Sequence, residues 1–452
     1  MTYLPHTDSD RAEMLEAAGV ERVEDLFRDV PEACRFPELR LPEPLSEMEL
    51  LAELRAMSEE NQDADHFPCF LGAGAYHHYV PRVVDAIISR SEFYTAYTPY
   101  QPEVSQGTLQ SIFEYQSMIC ALTGMEVANA SHYDGATATA EAVIMALNVA
   151  RGKRGRVLLS PTLHPEYRAV VRTYAQGTGI QIAGDDARPD LTVPPALPPL
   201  DKETACVVVQ YPDFLGQVQD LGQLAEQVHA VGALLVVAAD PVSLGLLQAP
   251  GHLGADIVVG EGQAFGNGLS FGGPYLGIFA CRERDVRKMA GRLVGETVDV
   301  EGRRGYVLTL ATREQHIRRD KATSNICTNE ALCALAAAVH LAALGRSGVR
   351  KLAELCYHKS HFAASQVAQL PDYHVYDARP FVQEFVVRCP APVADINAYL
   401  LDEWGIIGGY DLARDYPHLP NHMLLCVTEV IRREEIDVLV RGLEDAAKEV
   451  AR

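Results

Sequence analysis

The sequence predicts an α/β protein with a mostly parallel central sheet, an N-terminal helical arm and a smaller C-terminal α+β domain. Three observations lead there. Between about residues 69 and 330, short runs rich in Val, Ile and Leu alternate with helical segments. Those runs are continuously apolar, as strands covered on both faces are. Beyond residue 331 the order changes to a small-residue helix followed by two strands and two further helices.

Each element has a local reason. Residues 7–10 can cap a helix that runs to Gly19, and Ser46 with Glu49 forms a capping box in front of a second helix ending near Ser58. Leu45 and Leu50 occupy the positions of a hydrophobic staple. Residues 1–68 therefore form an arm that packs on a partner or on the main domain. The expected strands of the large domain, residues 69–330, are 156–160, 180–183, 206–211, 234–239, 257–260 and 275–280. In such sheets, ligands bind outside the carboxyl ends of the strands. The small domain, residues 331–452, has expected strands at 381–388 and 423–428 and helices at 393–404 and 434–450.

Composition narrows the function classes. The chain has 452 residues, 48% hydrophobic and 22% charged, enough for two or three globular domains. The longest apolar stretch, 331–344, contains His340 and stops at Gly345, so it reads as a buried helix, not a membrane span. The N-terminal MTYLPHTDSDR lacks the basic start and apolar core of a signal peptide, which points to the cytoplasm. Ten cysteines occur without a CxxC pair or close Cys/His spacing, the pattern of reduced buried thiols and not of a metal site or disulfide framework. A formal charge of −22 disfavours nucleic acid and anionic membranes.

Five segments carry groups suited to chemistry. In FYTAYTPYQPEVSQGT, Pro99 and Pro102 oppose helix formation, leaving Tyr94, Tyr97, Thr98, Tyr100 and Gln101 on a stiff loop that can line a small polar site or simply pack. In NASHYDGATATAEA, the backbone at Gly135, Ala136 and Thr137 opens a helix whose first N–H groups can cup a phosphate. Asp240 follows an apolar strand and precedes Pro241. Such a carboxylate can pair with a protonated pyridine nitrogen, or can shape a turn. The glycine-rich stretch from Gly254 to Pro274 brings backbone close to a ligand or a neighbouring chain, but lacks the GxGxxG spacing of a dinucleotide site. In RRDKATSNICTN, Thr323, Ser324 and Asn325 beside arginines can bind phosphate or carboxylate, and Thr328 suits a helix N-cap.

Taken in order, YTAYTPYQPEVSQG, NASHYDGATATAEA, HPEYR, GADIVVGEGQAFG with FGGP, RRDKATSNICT and LCVTE resemble the glycine cleavage P-protein family over roughly residues 70–430. The length and strings are similar to the N-terminal-half type, subunit 1 or alpha, of a two-subunit glycine decarboxylase. The resemblance implies the type I fold of pyridoxal-phosphate-dependent transferases. It also implies that the other half, subunit 2, carries the Schiff-base lysine in a His-Lys-Thr-Phe string. Here that string is Gly262-Gln263-Ala264-Phe265, so Gln263 stands in place of the lysine. An amide nitrogen is not a nucleophilic amine. No lysine lies between Lys202 and Lys288, and Lys321 belongs to the separate basic string.

The resemblance then implies a chain with no catalytic residue of its own and no covalently bound cofactor, inactive alone. Its partners would be subunit 2, which holds pyridoxal phosphate, and the lipoylated H-protein, with glycine as substrate and a heterotetramer as the assembly. Gly135, Ala136, Thr137, Asp240 and Gln263 become a vestigial cofactor pocket. Tyr94, Tyr97, Thr98, Tyr100 and Gln101, with Thr323, Ser324 and Asn325, become a wall serving the partner's site. Two other classes compete: a scaffold that only stabilises subunit 2, and a self-sufficient pyridoxal-phosphate aminotransferase or decarboxylase, which the missing lysine argues against.

Overall fold

A computed structural model describes residues 5–450. The outermost residues of the expected arm and C-terminal domain, 1–4 and 451–452, lie outside the described residues. The chain divides into a unit Met1–Gln62 and a unit Asp63–Arg452.

Among its described residues the first unit holds two α-helices, Asp8–Ala17 and Glu47–Glu59. Each starts on a reciprocal cap. The Asp10 N–H donates to the Thr7 hydroxyl while the Thr7 N–H donates to Asp10, and Ser46 and Glu49 repeat the arrangement. Neither helix buries a residue.

The second unit is built on a seven-stranded sheet. Its strands are β1 (Val127–His132), β2 (Arg156–Leu159), β3 (Gln181–Ala183), β4 (Thr204–Tyr211), β5 (Leu234–Ala239), β6 (Ile257–Glu261) and β7 (Gly277–Cys281). They lie in the order β1-β7-β6-β5-β4-β2-β3. The pairings from β3 through β6 are parallel, and β7 runs antiparallel between β6 and β1. The six expected strands are present. β1 was not foreseen, because Val-Ala-Asn-Ala-Ser-His has few β-branched residues. Its buried side chains are held by distant partners: Asn129 donates to the Ala290 carbonyl at 2.7 Å, and His132 stacks on Phe279 at 4.4 Å. A hairpin, β8 (Leu293–Val298) and β9 (Arg304–Thr309), was also missed.

A second, antiparallel sheet contains β10 (His374–Tyr376), β11 (Glu384–Arg388), β12 (Tyr410–Asp411) and β13 (His422–Cys426), in the order β10-β11-β13-β12. Helices Val393–Trp404 and Arg433–Glu449 cover it, their apolar stripes meeting Phe385, Val387 and Leu425.

The helix expected to stop at Gly345 instead continues as Ala331–Val367 with a break there, where φ is +61°. Glycine tolerates that angle at little cost, so the chain turns and resumes the helix. The first leg packs Ala334, Ala337 and Leu341 against the large sheet's core, and the second packs Ala363, Ala364 and Val367 against the small sheet's. Among the described residues this helix alone is long and apolar enough to cross a membrane, and half of its most apolar window is buried inside the protein.

Candidate functional site

The carboxyl ends of β4, β5 and β6 frame the expected cofactor pocket. Gln263 follows β6 and is only 2% exposed. Its amide pairs with the main chain of Tyr76 as a peptide group would. Oε1 accepts the Tyr76 N–H at 3.1 Å, and Nε2 donates to the Tyr76 carbonyl at 3.1 Å and to the Asn267 carbonyl at 2.8 Å. Both halves of a buried amide are thereby satisfied.

Asp240 lies past the end of β5 and closes a turn. It accepts the backbone N–H groups of Val242 and Ser243 at 3.3 and 3.2 Å, and the Ser243 hydroxyl. Burial raises its pKa; the Ser243 hydrogen bonds and the nearby His78 pull the other way.

The helix Gly135–Val149 starts where a phosphate would be held, but carboxylates take its N–H groups. Asp134 accepts from Thr137 at 2.7 Å, and Glu261 accepts from Gly135 at 3.0 Å. Glu261 also accepts from the N–H groups of Gln263 and Leu276 at 3.0 and 3.1 Å. Burial pushes its carboxyl up to about 7 against these hydrogen bonds. A Cβ on Gly135 would overlap the Tyr167 hydroxyl, so Tyr167 lies directly over this turn.

The other wall of the pocket comes from residues 73–76. His164, stacked on Tyr167 at 4.9 Å, is hydrogen-bonded through Nε2 to the Ala73 carbonyl at 2.9 Å. Glu384 accepts from the Ala73 N–H at 2.7 Å and from the Tyr76 hydroxyl at 2.9 Å, and burial pushes its carboxyl up to about 7. What remains between Gly74, Tyr76, His164, Tyr167, Asp240 and Glu261 is a cavity of about 30 Å³, room for one or two waters. These residues do not fit pyridoxal phosphate. No amine lines the cavity, it is far smaller than a phosphorylated ring, and two carboxylates take the N–H groups expected to hold a phosphate. Sequence reasoning missed Glu261, Tyr167, Tyr76 and Glu384. The HPEYR and GEGQAFG strings contained the first two without indicating that they meet.

The tyrosine segment lies elsewhere. Tyr94, Tyr97 and Thr98 face Thr328, Glu330 and Cys333 across a cleft of about 320 Å³ at the start of the helix Ala331–Val367. Tyr97 is 83% exposed, and Gln101 is exposed as well. Tyr100 stands apart from that cleft, its ring under the Arg292 guanidinium at 4.6 Å and its hydroxyl accepting from Nη2 at 3.1 Å. Arg292, with its side chain 3% exposed, also donates to Glu314 at 2.7 Å and to the Thr328 hydroxyl at 2.6 Å. Thr328 is therefore not the helix cap that its position suggested; Glu330 holds that position and makes no side-chain cap bond. Thr323 and Asn325 are exposed and do not line the cleft, while Ser324 turns inward and donates to the buried Glu141 at 2.7 Å. Arg292 was missed because it sits alone before the unforeseen hairpin.

Comparisons with known proteins agree on a family. The family model described as glycine cleavage system P-protein matches residues 1–443. The chain is 56% identical, over 98% of its own length and 99% of the relative's, to a protein of Desulforamulus reducens named "Probable glycine dehydrogenase (decarboxylating) subunit 1". A crystal structure of glycine decarboxylase (P-protein) of the glycine cleavage system, in inhibitor-bound form, is 46% identical, with a TM-score of 0.91 over 98% of this chain and 100% of that one. A sphingosine-1-phosphate lyase of Burkholderia pseudomallei, at 15% identity and a TM-score of 0.64 over 93% of this chain and 95% of that one, shares the fold alone. The sheet order with its single reversed strand β7 is accordingly that of the type I pyridoxal-phosphate-dependent transferases. The chain belongs to the glycine cleavage system P-protein family.

Proposed function

We propose that this chain is the subunit of a two-subunit glycine decarboxylase that does not hold pyridoxal phosphate, and that it works by completing its partner's active site. One observation carries the reading. At the end of β6, where the fold's cofactor lysine is expected, stands Gln263, its amide fully engaged by Tyr76 and Asn267. The filled helix N-terminus at Gly135 and the cavity of about 30 Å³ support it.

In the assembled enzyme the partner's pyridoxal phosphate supplies an electron sink for the loss of CO2 from glycine. The aminomethyl group then passes to the lipoyl arm of the H-protein. The contribution of this chain is binding and shielding. The exposed Tyr94, Tyr97 and Gln101 and the half-buried Thr98, with Tyr100 held at Arg292, line the partner's substrate region and exclude water from it. Thr323 and Asn325 extend toward the partner's cofactor phosphate, with Ser324 holding their loop through Glu141. Two copies of each subunit form the complex, which acts in the cytoplasm.

Co-expression with subunit 2 tests this. Glycine–bicarbonate exchange is expected from the pair and from neither chain alone. If the isolated chain turns yellow with pyridoxal phosphate and borohydride fixes the cofactor to it, the reading is wrong.

A further inference from the structure

Arg292 belongs to none of the segments that drew attention in the sequence, yet it is the point where two of them meet. Its three groups of donors go to three places. Nε reaches Glu314 at 2.7 Å, Nη1 the Thr328 hydroxyl at 2.6 Å and Nη2 the Tyr100 hydroxyl at 3.1 Å. Its backbone N–H is anchored too, on the Ser131 hydroxyl at 3.2 Å, next to the sheet. The planar fork of a guanidinium fixes all three directions at once, which a lysine ammonium cannot do. Glu314 is itself buried and balances the charge.

The consequence lies in Tyr100. The residue is more than half exposed, at 55%, although its hydroxyl is pinned. The oxygen accepts from Arg292, so the hydroxyl hydrogen points away from the guanidinium. Among the described residues it donates to nothing. An exposed aromatic side chain normally wanders among rotamers. This one is clamped by a hydrogen bond and by a cation over its face, and both contacts come from a residue with no other exposed function. A hydroxyl that accepts from a cation is a stronger donor, because each hydrogen bond polarises the next. Such a donor suits an oxyanion.

We propose that Arg292 is a positioning residue that holds Tyr100 as a preset hydrogen-bond donor to an oxyanion bound across the subunit boundary, a carboxylate or a phosphate. Arg292 touches neither ligand itself. It acts through Tyr100 and, by way of Thr328, sets the same register for the cleft that Tyr94 and Tyr97 line. The inference rests on the proposal that this chain completes the partner's site.

The experiment uses the complex of both subunits with Y100F, R292Q and R292K. Y100F removes only the hydroxyl of an exposed side chain and leaves folding intact. KM for glycine and the affinity for added pyridoxal phosphate, the latter read by absorbance titration and not by turnover, separate the two sources. A substrate carboxylate as the anion gives a KM raised about tenfold with cofactor affinity unchanged; a cofactor phosphate gives the reverse. R292Q is expected to reproduce the Y100F shift, the double variant to be no worse than R292Q alone, and R292K to recover part of it. If Y100F changes neither quantity, the positioning proposal is overturned. It is equally overturned if R292Q lowers complex yield or thermal stability while both quantities stay put. Y97F distinguishes the two levels. Loss of turnover in Y97F with a silent Y100F sinks only the role of Arg292, whereas silence in both removes the trans wall as well.

Discussion

The side-chain amide of Gln263 pairs with the main chain of Tyr76, accepting its N–H and donating to its carbonyl, both at 3.1 Å. The side chain serves as a strut between the end of β6 and the segment that closes the pocket.

Restoring the amine is therefore not expected to restore the chemistry. In Q263K the Tyr76 N–H loses its acceptor and an ammonium is placed at a position only 2% exposed. The variant should lose about 2–4 kcal/mol of unfolding free energy in urea titration. It should also show no absorbance of a bound pyridoxal ring, because Glu261 and Tyr167 still fill the phosphate position. A stable, yellow Q263K would mean that the pocket opens far more easily than its packing implies.

The turn at Gly135 tests the same packing from the other side. A methyl group there meets the Tyr167 hydroxyl and the backbone of Glu261. G135A should cost about 1–3 kcal/mol by overpacking. Its unfolding midpoint should fall at unchanged denaturant dependence, and subunit assembly should persist in the cold.

The buried carboxylates predict the pH response. The folded-state pKa of Glu384 is raised from 4.5 to about 7 by burial, so between those values the folded chain binds more protons than the unfolded chain. Stability then falls as pH rises through that window. Glu261, also pushed up to about 7, adds a contribution of the same sign. E384Q keeps an acceptor for the Ala73 N–H and cannot ionise. Relative to the wild type, its unfolding free energy should gain about 2–3 kcal/mol between pH 5 and pH 8. A wild-type-minus-variant difference that stays flat across the range would show that Glu384 ionises in the folded state at its ordinary pH.

For the wall, Y97F and N325A in the assembled complex should each lower glycine–bicarbonate exchange by about tenfold or more, the loss of one hydrogen bond to a charged group. Size-exclusion chromatography should show unchanged assembly. A scaffold gives the opposite pattern, weakened assembly with normal turnover per assembled complex.

Much of the framework was legible because it depends on local pattern. Runs such as residues 206–211 and 234–239 are apolar on both faces and became the central strands β4 and β5. The capping boxes at Thr7 and Ser46 formed as spelled, since a cap involves residues three apart. The misses share a cause. Val127–His132 is polar in sequence and becomes a strand only because β7 offers it an edge and Phe279 a stacking partner. Gly345 reads as a helix stop, yet the chain resumes its helix, packing Val349, Leu352 and Ala353 on the first core before Ala363, Ala364 and Val367 reach the second. Thr328 looks like a cap, and Arg292 claims its hydroxyl first.

By itself the sequence determined the α/β class, the central strands, the family resemblance and the presence of an amide, Gln263, just past β6, because each is written in residues adjacent along the chain. Only the tertiary structure decided what that amide does, that Glu261 and Tyr167 close on the Gly135 turn, and that Arg292 joins Tyr100 to Thr328. Those pairings span 187 residues between Tyr76 and Gln263 and 192 between Tyr100 and Arg292. Hydrophobic periodicity reports which face of an element is buried, but not which distant polar group will meet it there. That choice follows from the closing of the whole sheet, which brings buried donors and acceptors within reach and leaves them no water as an alternative partner.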